Sequence, residues 1–286
     1  MLKLKIVFEL VSKKLSQKYY QISENQLLVC IFCDIIGNMM CINELVKNLI
    51  FTSAEIGECF EYDSKAVYWA KNAVAKGRIA KIRHGLYSLI NPATGLIYPD
   101  KFMLGSNINK EAYIAYHGAL EFHGYANQVY NNIYVATAER FASFEHGGIT
   151  YERVQSNIPD GVITIKSSCD IRVTDLERTL IDCIYDLDRA GGAEELLGAL
   201  SYIKKLDYEK LLKYLTAYDK NNLWQKTAYL FEQFNHVLKL PEQFFDACLK
   251  GVSKRVIYFL NNENYGQIFY NKKWNVMAPV SLKEAM

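Results

Sequence analysis

The sequence predicts an α+β fold in two parts, an N-terminal winged helix-turn-helix followed by a mixed α+β domain. Three observations lead there. Two short helical stretches and a basic hairpin follow one another between Thr52 and Ile90. A turn-rich segment, Asn91-Pro92-Ala93-Thr94-Gly95, then reads as a linker. Beyond it, strand-like runs come first and helical periodicity dominates later, a segregation typical of α+β domains. With 286 residues, and roughly 150 per domain as a guide, the boundary is placed so that residues 1–95 form one domain and 96–286 the other.

The N-terminal elements can be justified one by one. Residues 20–50 read as helices, broken near Gly37-Asn38. Thr52 or Ser53 suits the cap of a short helix through Phe60, with Glu55 in the first turn, where the helix dipole favours an acid. Asp63 or Ser64 suits the cap of a second helix that runs to Lys76 and stops at Gly77. Spacing residues 65–76 at 100° places Ala66, Val67, Ala70, Ala73 and Val74 on the core side. Lys65, Tyr68, Asn72 and Lys76 fall on the opposite arc, with Trp69 at its edge.

Arg78–Ile90 alternates as two short strands around His84-Gly85, a two-residue turn that hairpins favour. Pairing Ile82 with Tyr87 and Ala80 with Leu89 leaves Lys81 and Arg83 pointing outward. From Ser64 to His84 there are six Lys/Arg and no Asp/Glu. The candidate DNA-contacting set is therefore Lys65, Tyr68, Trp69, Asn72, Lys76, Arg78, Lys81 and Arg83. Lysine and arginine neutralise phosphates, asparagine can read adenine, and aromatics supply apolar contacts.

Charge points the same way. Residues 1–95 hold twelve Lys/Arg against eight Asp/Glu, a net of +4, while 96–286 hold twenty-one against twenty-three, a net of −2. A double-stranded DNA partner should meet the first third. The residues MLKLKIVFELVSKKL lack the uninterrupted apolar stretch of a secretory signal. The longest apolar run, Leu27–Ile36, is interrupted by Asp34 and too short for a bilayer. A cytoplasmic location and no membrane partner are expected. Seven cysteines, mostly in apolar contexts, read as buried free thiols, and Cys30-x-x-Cys33 as helix core rather than metal or redox centre.

In the second domain, Asn109–His123 reads as helix, and Ile133–Ala138, Gly148–Val154, Val162–Ser167 and Ile171–Val173 as strands, with a turn at Pro159-Asp160-Gly161. Helices dominate from Thr174 to about Lys250. Arg255–Leu260, Gln267–Tyr270 and Trp274–Met277 return to strand patterning.

Thr174-Asp-Leu-Glu177 reads as a capping box, and Arg178, Asp182 and Asp186 as ion-pair spacing or an acidic Mg²⁺ cluster. His117, Glu121 and His123 miss the spacing of a zinc protease, and a hydrogen-bonded helix end is the better reading. No phosphate-binding loop, nucleophile elbow or dinucleotide fingerprint occurs. The expectation is a non-enzyme without metal or cofactor.

Four stretches, Lys76–Leu89 (KGRIAKIRHGLYSL), Ala115–Gly124 (AYHGALEFHG), Asn132–Thr137 (NIYVAT) and Val173–Asp182 (VTDLERTLID), stand out by their order and spacing. Together they resemble the AbiEi antitoxin family of abortive-infection (type IV) toxin–antitoxin pairs. The resemblance covers roughly residues 50–190. It implies an autorepressor that binds operator DNA through its winged helix, while the C-terminal domain serves neutralisation of a nucleotidyltransferase-like toxin, with no stable complex required. Two rival readings are a ligand-responsive winged-helix transcription factor and a winged-helix-targeted nuclease. A deep apolar pocket in the second domain would favour the first, and a trio of acids converging with a lysine the second.

Overall fold

The computed structural model describes residues 39–156, 158–260 and 267–280. The run Leu27–Ile36, the Cys30/Cys33 pair and the helices expected before residue 39 lie outside them. Among the described residues the fold is α+β with three sheets, and the chain divides into two compact units between Tyr98 and Pro99. Among the described residues no helix is long and apolar enough to cross a membrane.

In the first unit, α1 (Met39–Lys47) leads to β1 (Ile50–Thr52), α2 (Ser53–Glu58), α3 (Asp63–Ala75), β2 (Ile79–Arg83) and β3 (Leu86–Leu89). The strands form one antiparallel sheet in the order β1-β3-β2. Thr52 caps α2 in a reciprocal box: its hydroxyl accepts from the Glu55 amide, and Glu55 accepts from the Thr52 amide at 2.7 Å. α3 ends because Gly77 adopts φ +65°, which lets Arg78 N–H reach back to the Ala73 carbonyl. Its N-cap is Tyr62, not Asp63 or Ser64, with no side-chain cap bond.

The hairpin turns at His84-Gly85, but its register corrects the simple alternation. Ile79 faces Leu89, Ala80 faces Ser88 and Lys81 faces Tyr87, and the ladder then shifts before Arg83 faces Leu86. The bulge lets Ile79 and Ile82, three residues apart, both bury their side chains, which strict period-two pairing forbids. The expected linker is a loop that doubles back: Ile97 bridges Ile90, and Tyr98 N–H donates to the Leu89 carbonyl.

Two of the five cysteines among the described residues are not free thiols. Cys41 and Cys59 form a disulfide with Cα atoms 5.3 Å apart, joining α1 to the end of α2 across 18 residues of sequence. Cys169, Cys183 and Cys248 are free and buried.

The second unit opens with α4 (Lys101–Ser106). A six-stranded mixed sheet follows, built from β4 (Tyr113–Ala115), β5 (Asn132–Ala136), β6 (Phe144–His146), β7 (Ile149–Val154), β8 (Val162–Ile165) and β9 (Ile171–Thr174) in the order β6-β7-β5-β4-β9-β8. The helix expected over 109–123 is instead strand β4 running into α5 (Tyr116–Phe122). The chain changes direction at Tyr116, which takes φ 55°. A left-handed tyrosine is unfavourable in isolation. Here its buried ring packs edge-on against Tyr134, with the Arg189 guanidinium 5.5 Å from its centre.

Six helices come next: α6 (Leu176–Tyr185), α7 (Ala193–Tyr202), α8 (Tyr208–Tyr218), α9 (Asn221–Gln233), α10 (Asn235–Leu238) and α11 (Glu242–Gly251). The small sheet β10 (Ile257–Tyr258), β11 (Ile268–Asn271) and β12 (Val276–Pro279), ordered β10-β12-β11, completes the unit. The cap of α6 is Asp175, which accepts from the Arg178 amide, and not Thr174, whose backbone ends β9. Glu177 accepts from the Asp207 amide instead of closing a capping box.

Candidate nucleic-acid interface

Burial decides which side of α3 meets solvent. Ala66, Trp69, Ala70 and Ala73 are its buried residues, an i, i+3, i+4, i+7 stripe that faces the first unit's core. Trp69 is only 3% exposed, its ring 6.0 Å from Phe60, so it is a core residue and not a contact residue. The physical reason is size: the indole is the largest apolar side chain on the helix, and burying it outweighs burying two valines. Val67 and Val74 are turned out, at 53% and 38% exposed.

The helical phase then divides the open side into two flanks around Tyr68 and Ala75. Lys65, Asn72 and Lys76 lie on one. Lys65 is 3.6 Å from Glu61 and 5.0 Å from the centre of the Tyr62 ring, and Asn72 is half-buried. Val67, Lys71 and Val74 lie on the other and line an open groove of about 260 Å³. Lys81 and Tyr87, neighbours across the β2–β3 ladder, line it from the hairpin, and the buried Ile56, Ala66 and Ala70 line its depth.

Lys71 belongs to the six-cation run but not to the set singled out from sequence. The signal that could have found it was the bulk of Trp69. Placing the indole in the core rotates the solvent arc towards Lys71. Arg78 and Arg83 are half-buried, while Lys76, Lys81 and His84 are exposed. Neither Lys71 nor Lys81 has a carboxylate within ion-pair distance among the described residues. The surface thus presents cations beside exposed apolar side chains, a pairing suited to phosphates and base edges.

In the second unit, the histidines and acids noted from sequence are engaged locally. His117 Nε2 lies 3.1 Å from Glu195 Oε1, Glu121 pairs with Lys101 at 2.5 Å, and His123 Nε2 donates to the Thr174 carbonyl at 2.7 Å. Arg178 and Asp182 form a buried pair. Among the described residues no three His, Cys, Asp or Glu side chains gather in a way that could hold a metal ion.

No family model matches the chain, and no curated protein matches it. Among solved structures it is similar to the crystal structure of the RV2827C protein from Mycobacterium tuberculosis, with a TM-score of 0.59 and 14% identity. The match covers 85% of this chain and 92% of that one. At such identity the likeness is one of fold.

Proposed function

We propose that the first unit is a winged helix that binds double-stranded operator DNA, and that the chain is the autorepressor and antitoxin of a type IV toxin–antitoxin pair. In that reading α2 and α3 are the helix-turn-helix and β2–β3 is the wing. One observation carries the DNA-binding part. Apolar Val67, Tyr68 and Val74 stand exposed on a helix whose neighbouring cations, Lys71 and Lys81, have no acidic partner among the described residues. A surface of that kind is costly to leave in water and well matched to a polyanion with apolar base edges.

The antitoxin part rests on the family resemblance alone. In this reading the protein acts in the cytoplasm, with a nucleotidyltransferase-like toxin as functional partner and no catalytic activity of its own. The test is promoter-fragment titration at several salt concentrations, combined with toxin challenge. With three to five cations on phosphates, the log–log salt slope should be about −3 to −4.5 per monomer. Arg83→Glu should abolish repression yet still rescue growth when expressed from an unrelated promoter. A flat salt response sinks the DNA reading, and loss of rescue in a folded Arg83→Glu protein sinks the division of labour. Metal-dependent cleavage of DNA or RNA by the purified protein sinks the non-enzymatic reading.

A further inference from the structure

The groove between α3 and the hairpin carries a more specific reading, which rests on the DNA-binding proposal above. Its helix wall presents two valines two helical turns apart, Val67 and Val74, with Lys71 between them. A valine offers no donor or acceptor, so it cannot read the hydrogen-bonding code of a base pair. The apolar group that the major groove displays is the C5-methyl of thymine. Lys81 faces Lys71's wall from the hairpin, which gives the groove a cation on each side of an apolar strip.

We propose that this groove receives the major-groove edge of duplex DNA and selects thymine by its methyl group, with Val67 and Val74 as the apolar contact and Lys71 and Lys81 on the bordering phosphates. Charge complementarity favours this occupant over an apolar one: a second copy of the chain, or an uncharged ligand, would leave two ammonium groups at the rim without counter-charge. The remainder of the α3 surface then has a positioning role. Asn72, half-buried on the far flank, does not set the preference.

The probe is a duplex selected by the full-length chain from a random-sequence pool, compared with the same duplex in which single thymines are replaced by deoxyuridine. That change deletes one methyl and keeps every hydrogen bond. Wild type should lose about fourfold in affinity at one or two positions, the value expected for one buried methyl-sized group. Val67→Ala or Val74→Ala should bind the thymine and deoxyuridine duplexes within twofold of each other, while Asn72→Ala keeps the discrimination. Lys71→Ala and Lys81→Ala should weaken both duplexes equally and each reduce the salt slope by about one.

Both valines are exposed, so the variants should keep the wild-type thermal midpoint, measured on the same samples. Equal binding of both duplexes by wild type, or discrimination that survives both valine changes, overturns the methyl reading alone. Failure to retain any duplex overturns the DNA-binding reading and this one with it. Sedimentation without DNA supplies the remaining arm. A wild-type dimer that Val67→Lys dissolves would put a second copy in the groove and overturn the proposal; one sedimentation coefficient for both proteins supports it.

Discussion

Arg178 Nε donates to Asp182 Oδ1 at 2.6 Å, one turn apart on α6, with both side chains only 2% exposed. The same guanidinium donates through Nη1 to the carbonyls of Ile158 (3.1 Å) and Asp160 (2.6 Å), and Tyr218 OH donates to Asp182. Burial works against the charge on Arg178, but the Asp182 carboxylate and Tyr218 outweigh it and raise its pKa. Gly161 takes φ +82° beside this cluster, and a Cβ there would stand 2.9 Å from the Arg178 Cβ.

Removing one partner of that pair should be expensive. Asp182→Ala leaves a buried guanidinium without its carboxylate, and urea unfolding should show a loss of about 3–5 kcal/mol. Arg178→Met with Asp182→Leu should recover part of that loss but not all, because the carbonyls of Ile158 and Asp160 lose their donor. A single mutant with wild-type stability would mean that the pair is not buried as described.

His117 gives a pH dependence. Burial lowers its pKa below the ordinary 6.5, against the pull of Glu195, and its Nδ1 and the Glu195 Oε2 have no hydrogen-bond partner among the described residues. The folded state therefore holds the imidazole neutral more strongly than the unfolded chain does. The sign follows from linkage: this contribution is fully present above about pH 6.5 and is lost as pH falls through the lowered folded-state value. Unfolding midpoints at pH 7.5 and 5.5 should show a drop on acidification. His117→Gln, which keeps a donor near Glu195 and cannot titrate, should flatten it. His146, also lowered by burial, leaves a residual slope. An unchanged slope in His117→Gln would assign the effect elsewhere.

The Cys41–Cys59 bridge closes a loop across 18 residues of sequence in the small first unit. By loop-closure entropy it should contribute about 3 kcal/mol to that unit. Adding a reductant should lower the thermal midpoint of that unit's transition. Cys41→Ser should reproduce the shift and lose further sensitivity to reductant. If reductant leaves the midpoint where it was, the two thiols are not joined in the native protein.

Much of the local structure was legible in the sequence because neighbours within about four residues determine it. Thr52 and Glu55 define a helix start through their own mutual hydrogen bonds, and Gly77 ends α3 because it tolerates a positive φ. His84-Gly85 turns the hairpin, and Asn132–Val135 alternates half-buried and buried residues as the period-two pleat requires. The basic run 64–84 was likewise plain from residue types alone.

What the tertiary structure decided is everything that depends on competition for the core or on distant partners. The face of α3 was settled when the Trp69 indole entered the core and displaced Val67 and Val74 to the surface. Helical periodicity sees only apolar spacing, not which apolar group buries most area. A bulge set the hairpin register so that Ile79 and Ile82 could both be covered. Cys41 met Cys59 because the chain brought those groups together in space, and Asp175 rather than Thr174 caps α6 because Thr174 is held in β9 by its pairing with Val162. Arg178 and Asp182, four residues apart, have a spacing that fits an exposed surface pair as well as a buried one. The carbonyls of Ile158 and Asp160 and the hydroxyl of Tyr218, supplied by separate segments, make their burial possible, since a buried charge persists only where its hydrogen bonds are met.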